Sequence, residues 1–326
     1  MLDRTDPRAS ATPAAAGATA PTVLFGVFWA LFTVLVWAAW PVFTRLSVTR
    51  TINPEDLVAL RFGIGGLILL PVLIRQARIM PAHGWREGVI LAFCQGAPLA
   101  LLVTVGVRFA PASHMAALSP GLMPLFAAGI SFLFLHEQLS KLRAGGIAMI
   151  LLGALVMVGV SVSASAAGFW RGDILFICAG FMGSIYTVRM RRSGLSAIQG
   201  AALIGVYSMI VYLPLYVWLW LGSSRLAEAP PREVLFQAVY QGVLMGAVTL
   251  FSLSRAVVIL GAPRAAAFLS LMPVVTALLG AAILHEIPSA PEAVAITIIS
   301  LGVLLATGVL QRREPTGEAA SISKAR

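Results

Sequence analysis

Charge is what this sequence lacks. Only 11% of its 326 residues are Asp, Glu, Lys or Arg, against about 25% in an ordinary soluble domain. A water-soluble fold of this length would have too few charges to cover its surface, which argues against a cytosolic enzyme. Disorder is excluded by the same figures, because 59% of the residues are hydrophobic and disordered chains are poor in them. Cysteine is nearly missing as well. Cys94 and Cys178 both lie in apolar runs, so they make neither a disulfide framework nor a zinc knuckle. No phosphate-binding P-loop is present, which removes an ATP-driven step. The 13 acidic residues all avoid the middle of the apolar runs. Basic residues exceed them, for a formal charge of +10. That excess could suggest nucleic acid, but the Lys and Arg stand singly or in twos and threes between apolar runs. Membrane topology signals have this pattern, and no nucleic-acid partner is expected.

What is abundant is apolar sequence, with a mean hydropathy of +0.92. A bilayer core needs roughly 20 apolar residues of helix. Ten segments meet or approach this: 22–44, 56–74, 87–108, 112–135, 142–161, 171–190, 196–222, 233–260, 264–285 and 291–311. Residues 1–21 and 312–326 read as disordered cytoplasmic tails. The first segment is too long for a signal-peptide core and lacks a small-residue cleavage site, so it is expected to remain as a span. With both termini inside, 16 Lys and Arg fall on cytoplasmic ends and tails and six on the opposite side. That bias sets the orientation expected here.

Self-comparison finds a repeat. Leu122-Met123-Pro124 recurs as Leu271-Met272-Pro273, and His136-Glu137 as His285-Glu286. Gly153 matches Gly302, and Gly159-Val160 matches Gly308-Val309, all at one offset of 149. Ala110-Pro111 with Ala262-Pro263, and Gln95-Gly96 with Gln241-Gly242, agree once small insertions are allowed. The expected fold is therefore an all-α membrane protein of ten transmembrane helices in two five-helix repeats, 22–161 and 171–311. Five is odd, so the second repeat enters the membrane from the opposite side. Inverted repeats of this kind belong to secondary transporters with a site at the midplane.

Three sets of residues resemble one family. Pro124 to Glu137 and Pro273 to Glu286 each read proline, twelve residues, then glutamate. The first span holds Trp37-Ala38-Ala39-Trp40 and ends at Arg45, and the second opens with Ala59-Leu60-Arg61-Phe62 followed by glycines. Over residues 22–311 the chain resembles a ten-helix member of the drug/metabolite transporter superfamily, EamA type. The resemblance implies a central cavity lined by spans 1, 3, 4, 6, 8 and 9. It also implies export of small metabolites, amino acids or drugs across a bacterial inner membrane, with no cofactor or metal. A homodimer is left open.

Candidate site residues follow from polar groups at helical spacing. Trp29, Thr33, Trp37, Trp40 and Thr44 share one face of about 80° on the first span. Trp37 and Trp40 are read as cavity walls, the alternative being that Trp29 and Trp40 belong to interfacial belts. Gln237, Gln241, Met245, Ser252 and Arg255 form a matching stripe on the eighth. Amides in hydrocarbon need protein or water, so Gln241 and Met245 are read either as substrate contacts or as helix–helix links. Gln95, Ser119, Met182 and Tyr186 complete the substrate-binding set. Pro124 and Pro273 are read as hinges, because proline removes a backbone bond. Glu137 and Glu286 are read as gating residues that need an Arg or backbone donors beside them. His114 is expected to be interfacial.

A proton-coupled pump usually keeps an Asp, Glu or His inside a span. Coupling is thus absent, or carried by a His or by helix-end carboxylates, and the cavity suits neutral, zwitterionic or anionic solutes. Two other functions compete. An intramembrane enzyme needs a catalytic constellation, but the four histidines are scattered. A non-transporting scaffold leaves the repeat and its prolines without a purpose.

Overall fold

The computed structural model describes residues 20–135, 139–163 and 168–309. They are helical, with no strand among them. Helix α1 runs Ala20–Val48, α2 Pro54–Ala77, α3 Ala82–Gln95, α4 Ala97–Phe109, α5 Ala112–Leu118, α6 Met123–Leu135 and α7 Lys141–Ser163. Then come α8 Phe169–Arg192, α9 Ala197–Leu219 and α10 Pro231–Gln237, a π-helical stretch Ala238–Val248, and α11 Thr249–Leu260. The chain closes with α12 Ala262–Leu269, α13 Met272–Leu279, a π-helical turn Gly280–Leu284, and α14 Ala290–Ala306. Residues 1–19 and 310–326, where the expected tails lie, fall outside the described residues, and so does Glu137.

Among the described residues, eight helical segments are long and apolar enough to cross a membrane. They coincide within a few residues with eight of the ten expected spans. The other two are shorter. Segment 233–260 is divided by the π-helical stretch, leaving Phe251–Leu260 as its apolar helix, and 291–311 gives the 17-residue α14. Polar Gln237 and Gln241 interrupt the first. The second ends before Gly308, whose φ of 71° is left-handed.

Local chemistry sets the boundaries. Ser196 opens α9 by accepting from the Gln199 N–H at 3.2 Å, while the Gln199 side chain accepts from the Ser196 N–H at 3.0 Å. This reciprocal cap satisfies two orphan donors. Proline divides other spans. Gly96 separates α3 from α4 ahead of Pro98, and Pro120 and Gly121 lie in the gap between α5 and α6. Pro124 and Pro273 take the second position of α6 and α13, each just past a break, where the missing N–H is tolerated.

In lipid, helices associate through close packing, and small residues permit it. A Cβ on Gly146 of α7 would stand 2.7 Å from the Gly302 carbonyl of α14, and one on Gly153 would stand 2.9 Å from the Ala295 carbonyl. Low numbers on α7 thus meet high numbers on α14, so the two run antiparallel. Helices α2 and α9 do the same: Gly66 lies against Gly205 and Met209, while Tyr212 donates to the Glu55 carbonyl at 3.1 Å. Helix α4 runs antiparallel to α8, with Gly106 on Phe176 and Ala110 on Gly172. Helix α1 runs antiparallel to the 231–260 segment, with Gly26 on Leu260 and Thr44 on Gln241. The outside stays apolar: Leu24, Phe28, Leu35, Phe132 and Trp218 are all exposed. An apolar exterior over apolar helices of this length is what a bilayer requires.

Candidate functional site

The two polar stripes read from the sequence face each other. Thr33 on α1 shares a 2.7 Å hydrogen bond with Ser252 on α11. The Trp40 indole N–H donates to Gln241 Oε1 at 3.0 Å. The Gln241 amide donates to Thr44 Oγ1 and to Gln237 Oε1, both at 3.2 Å. Gln237 donates to the Phe43 carbonyl at 3.0 Å and to Ser47 Oγ at 2.9 Å, and the Ser47 hydroxyl donates to Glu233 at 2.7 Å. Gln237 and Gln241 are each 1% exposed. This relay satisfies both sides of the α1 contact, as buried amides require.

Arg61 completes the junction from α2. Its guanidinium lies 4.6 Å from the centre of the Trp40 ring and 5.8 Å from that of Phe62. As the eighth residue of α2, it sits about 10 Å along the helix from its start. The Tyr240 hydroxyl donates to the Val36 carbonyl of α1. Yet the buried Nη1 of Arg61 has no hydrogen-bond partner among the described residues.

Gln95 occupies a different neighbourhood. It ends α3 at the Gly96 break, with its side-chain carbonyl against Gly183 of α8. That oxygen is buried and also has no partner among the described residues. Ser119 closes α5, and its carbonyl lies against Gly180 of α8. Met182 packs on the large central cluster that contains Phe176 and Leu118, while Tyr186 packs with Leu91 and Leu203. Met245 and Trp37 are half-buried, and the Met245 carbonyl accepts from the Thr249 hydroxyl at 2.9 Å. Of the eight residues expected to bind substrate, hydrogen bonds among the described residues join Trp40 and Gln241. Gln95, Ser119 and Met182 gather around Gly180–Gly183 of α8.

Two charged clusters close one end of the helices. Arg45 pairs with Glu286 and donates to the Ala110 and Val107 carbonyls, while the Ala112 N–H donates to Glu286 at 3.3 Å. Glu286 thus has the Arg and the backbone donor that its helix-end position demanded. His114 departs from its expected place. It is wholly buried, with Nδ1 2.9 Å from Asp173 and Nε2 3.0 Å from Glu292. Both ring nitrogens are taken by carboxylates from α8 and α14, so the imidazole is a core tie between three helix starts and not an interfacial group. Glu292 also accepts from the Ser289 N–H at 2.6 Å and its hydroxyl at 2.8 Å. The signal was available: all three residues sit at helix starts, which the expected topology places on one side. Arg255 is exposed, with Phe251 5.7 Å away.

A cleft of about 440 Å³ opens among Glu87, Ile130, Phe134, Val188, Arg189, Arg192 and Ser193. These residues lie at the opposite ends of the helices from Arg45–Glu286. None belongs to the expected substrate set, and an Arg189–Glu87 ion pair of 2.6 Å borders the cleft.

Comparison with known proteins bears on both halves of the chain. Residues 24–159 and 170–308 each match the EamA-like transporter family. The chain is 24% identical over 269 residues to the uncharacterized transporter YyaM of Bacillus subtilis (strain 168), covering 79% of this chain and 86% of that protein. A solved crystal structure superposes with a TM-score of 0.56 at 19% identity, over 88% of this chain and 98% of its own. At that identity the likeness concerns the fold alone.

Proposed function

We infer from its membership of the EamA-like transporter family, to which the chain belongs, that this multi-pass membrane transporter works by alternating access. Two inverted five-helix halves, 22–161 and 171–311, would rock about a site between them and move a small solute out of a bacterial cell, with both termini cytoplasmic. The observation that carries the reading is the double match, one copy of the family in each half. Helix pairing supports it. Under a pseudo-twofold, each span exchanges with the one five later. The second and seventh spans, α2 and α9, then become mates, as do the fifth and tenth, α7 and α14. Mates in inverted halves run antiparallel, and both of these pairs do. The exchange also maps the α4–α8 contact onto the contact of α1 with the 231–260 segment. Inverted repeats move a solute by exchanging the conformations of their halves. Pro124 and Pro273, at matched helix breaks, are the hinges of this reading, and Glu286 with its mate Glu137 are the gates.

Reconstitution tests it. Proteoliposomes loaded with mixtures of amino acids, drugs and metabolites should exchange at least one of them with labelled external solute. Protein-dependent exchange of none would end the transporter reading. Topology is tested separately by single-cysteine labelling in intact cells. Positions 139–143 and 189–195 should be protected and 222–232 reactive, and the reverse pattern would turn the orientation over.

A further inference from the structure

Arg61 is a cation with no anionic partner among the described residues. It lies inside one of the long apolar helices, α2. Its guanidinium lies over two rings, Trp40 at 4.6 Å and Phe62 at 5.8 Å. Trp40 belongs to α1, so the guanidinium of α2 lies at the α1–α2 contact, with its Nη1 buried in protein. No carboxylate forms an ion pair with it among the described residues, and its buried Nη1 donates to nothing there. Ionisable groups within spans almost always pair with one another or with backbone carbonyls, or mark a solute path. The other arginine facing a helix junction, Arg45, obeys the first rule, with Glu286 and two carbonyls. Arg61 does not.

The surroundings suit an anion. A guanidinium stacked on an indole keeps its N–H groups in its own plane, where they match the two oxygens of a carboxylate. Trp40 is held in place by its hydrogen bond to Gln241, and Gln241 by Thr44 and Gln237. The aromatic platform is therefore fixed before a ligand arrives, which favours recognition. The positive charge of Arg61 repels an ammonium group, and no carboxylate among the described residues pairs with it to offset that.

We propose that Arg61, stacked on Trp40, is the anchor for the carboxylate of the transported solute, so that the protein carries organic anions with an apolar body. This rests on the transporter reading, and the test separates the two. Three probes share one body: phenylacetate, phenylacetamide and phenethylamine. Purified full-length protein in detergent should melt higher with millimolar phenylacetate and not with the amide or the amine. Arg61→Met should abolish that shift. Without solute it should melt no lower than the unsubstituted protein, because the buried Nη1 has no acceptor to lose among the described residues. Arg61→Lys keeps the charge and loses the fork, and should weaken the half-saturating concentration by about tenfold or more. A lower melting point for Arg61→Met without solute would mean that the arginine has a structural partner, and would overturn the proposal. So would an equal phenylacetate shift in protein and variant, or no shift in either. Proteoliposome exchange of the same probes decides the rest. Exchange of phenethylamine but not phenylacetate leaves the transporter standing and removes the anion site. Arg61-dependent binding of phenylacetate with no exchange of any probe leaves the anion site and removes the transporter.

Discussion

Gln241 and Gln95 each precede a glycine, and self-comparison of the sequence pairs them, yet they live in different environments. The Gln241 amide is saturated: Trp40 donates to its oxygen, and its nitrogen reaches Thr44 and Gln237. The Gln95 oxygen is equally buried and has no partner among the described residues. An amide bonded at both ends ties helices together. One with an orphaned acceptor stores an unmet hydrogen bond, which costs about 1–3 kcal/mol when nothing fills it. Two amides in the same local sequence, Gln-Gly, thus differ: one ties helices together, and the other leaves an acceptor unfilled among the described residues.

The same division appears at the helix ends and gives the largest expected effect. His114 bridges two carboxylates, and its removal strands Asp173 Oδ1 and Glu292 Oε1. His114→Leu should lower stability by about 3–5 kcal/mol, read as a large drop in melting temperature in detergent. A drop of only a degree or two would mean that Asp173 and Glu292 are not charged partners of the ring. Next, Gln241→Ala should lower stability by about 2 kcal/mol, since Trp40 Nε1 and Gln237 Oε1 lose their partner. Interhelical hydrogen bonds in membranes often contribute less than that, so double-mutant cycles with Trp40→Phe should isolate the coupling. Gln95→Leu is the opposite case. With no partner to lose, its melting temperature should hold or rise by the equivalent of up to about 1 kcal/mol, while solute exchange falls. Equal destabilisation by Gln95→Leu and Gln241→Ala would erase the contrast between the two amides. The smallest effect belongs to Glu87→Gln. Its partner Arg189 is 44% exposed, and such pairs contribute within about 1 kcal/mol, so the melting point should barely move. A large drop would show that the cleft beside it depends on that charge.

Much of the frame was legible in the chain. The spans follow from run length, because lipid forces the backbone to satisfy itself within each helix. The two polar stripes, on 29–44 and 237–255, follow from spacing. Their meaning did not. One stripe read alone suits either a wet cavity or a partner helix, and the pairing of Thr33 with Ser252 and of Trp40 with Gln241 joins the two stripes to each other. Glu286 announced its need for donors through its place at a helix end, and Arg45 and the Ala112 N–H meet it. His114 was misjudged because residues 114, 173 and 292 are far apart in sequence, and burial of a charge depends on neighbours that spacing does not report.

By itself the sequence determined the apolar helices, their turns at glycine and proline, the internal repeat and the list of polar groups that lipid would not tolerate alone. Those properties are local, or depend on periodicity along one strand of chain. Only the tertiary structure decided which polar groups found partners. The free energy of a buried donor, acceptor or charge is set by what lies within about 3 Å of it, and those atoms come from helices remote in the chain. That is why Gln241 emerged bonded, and why the Gln95 oxygen and Arg61 Nη1 remained unpartnered.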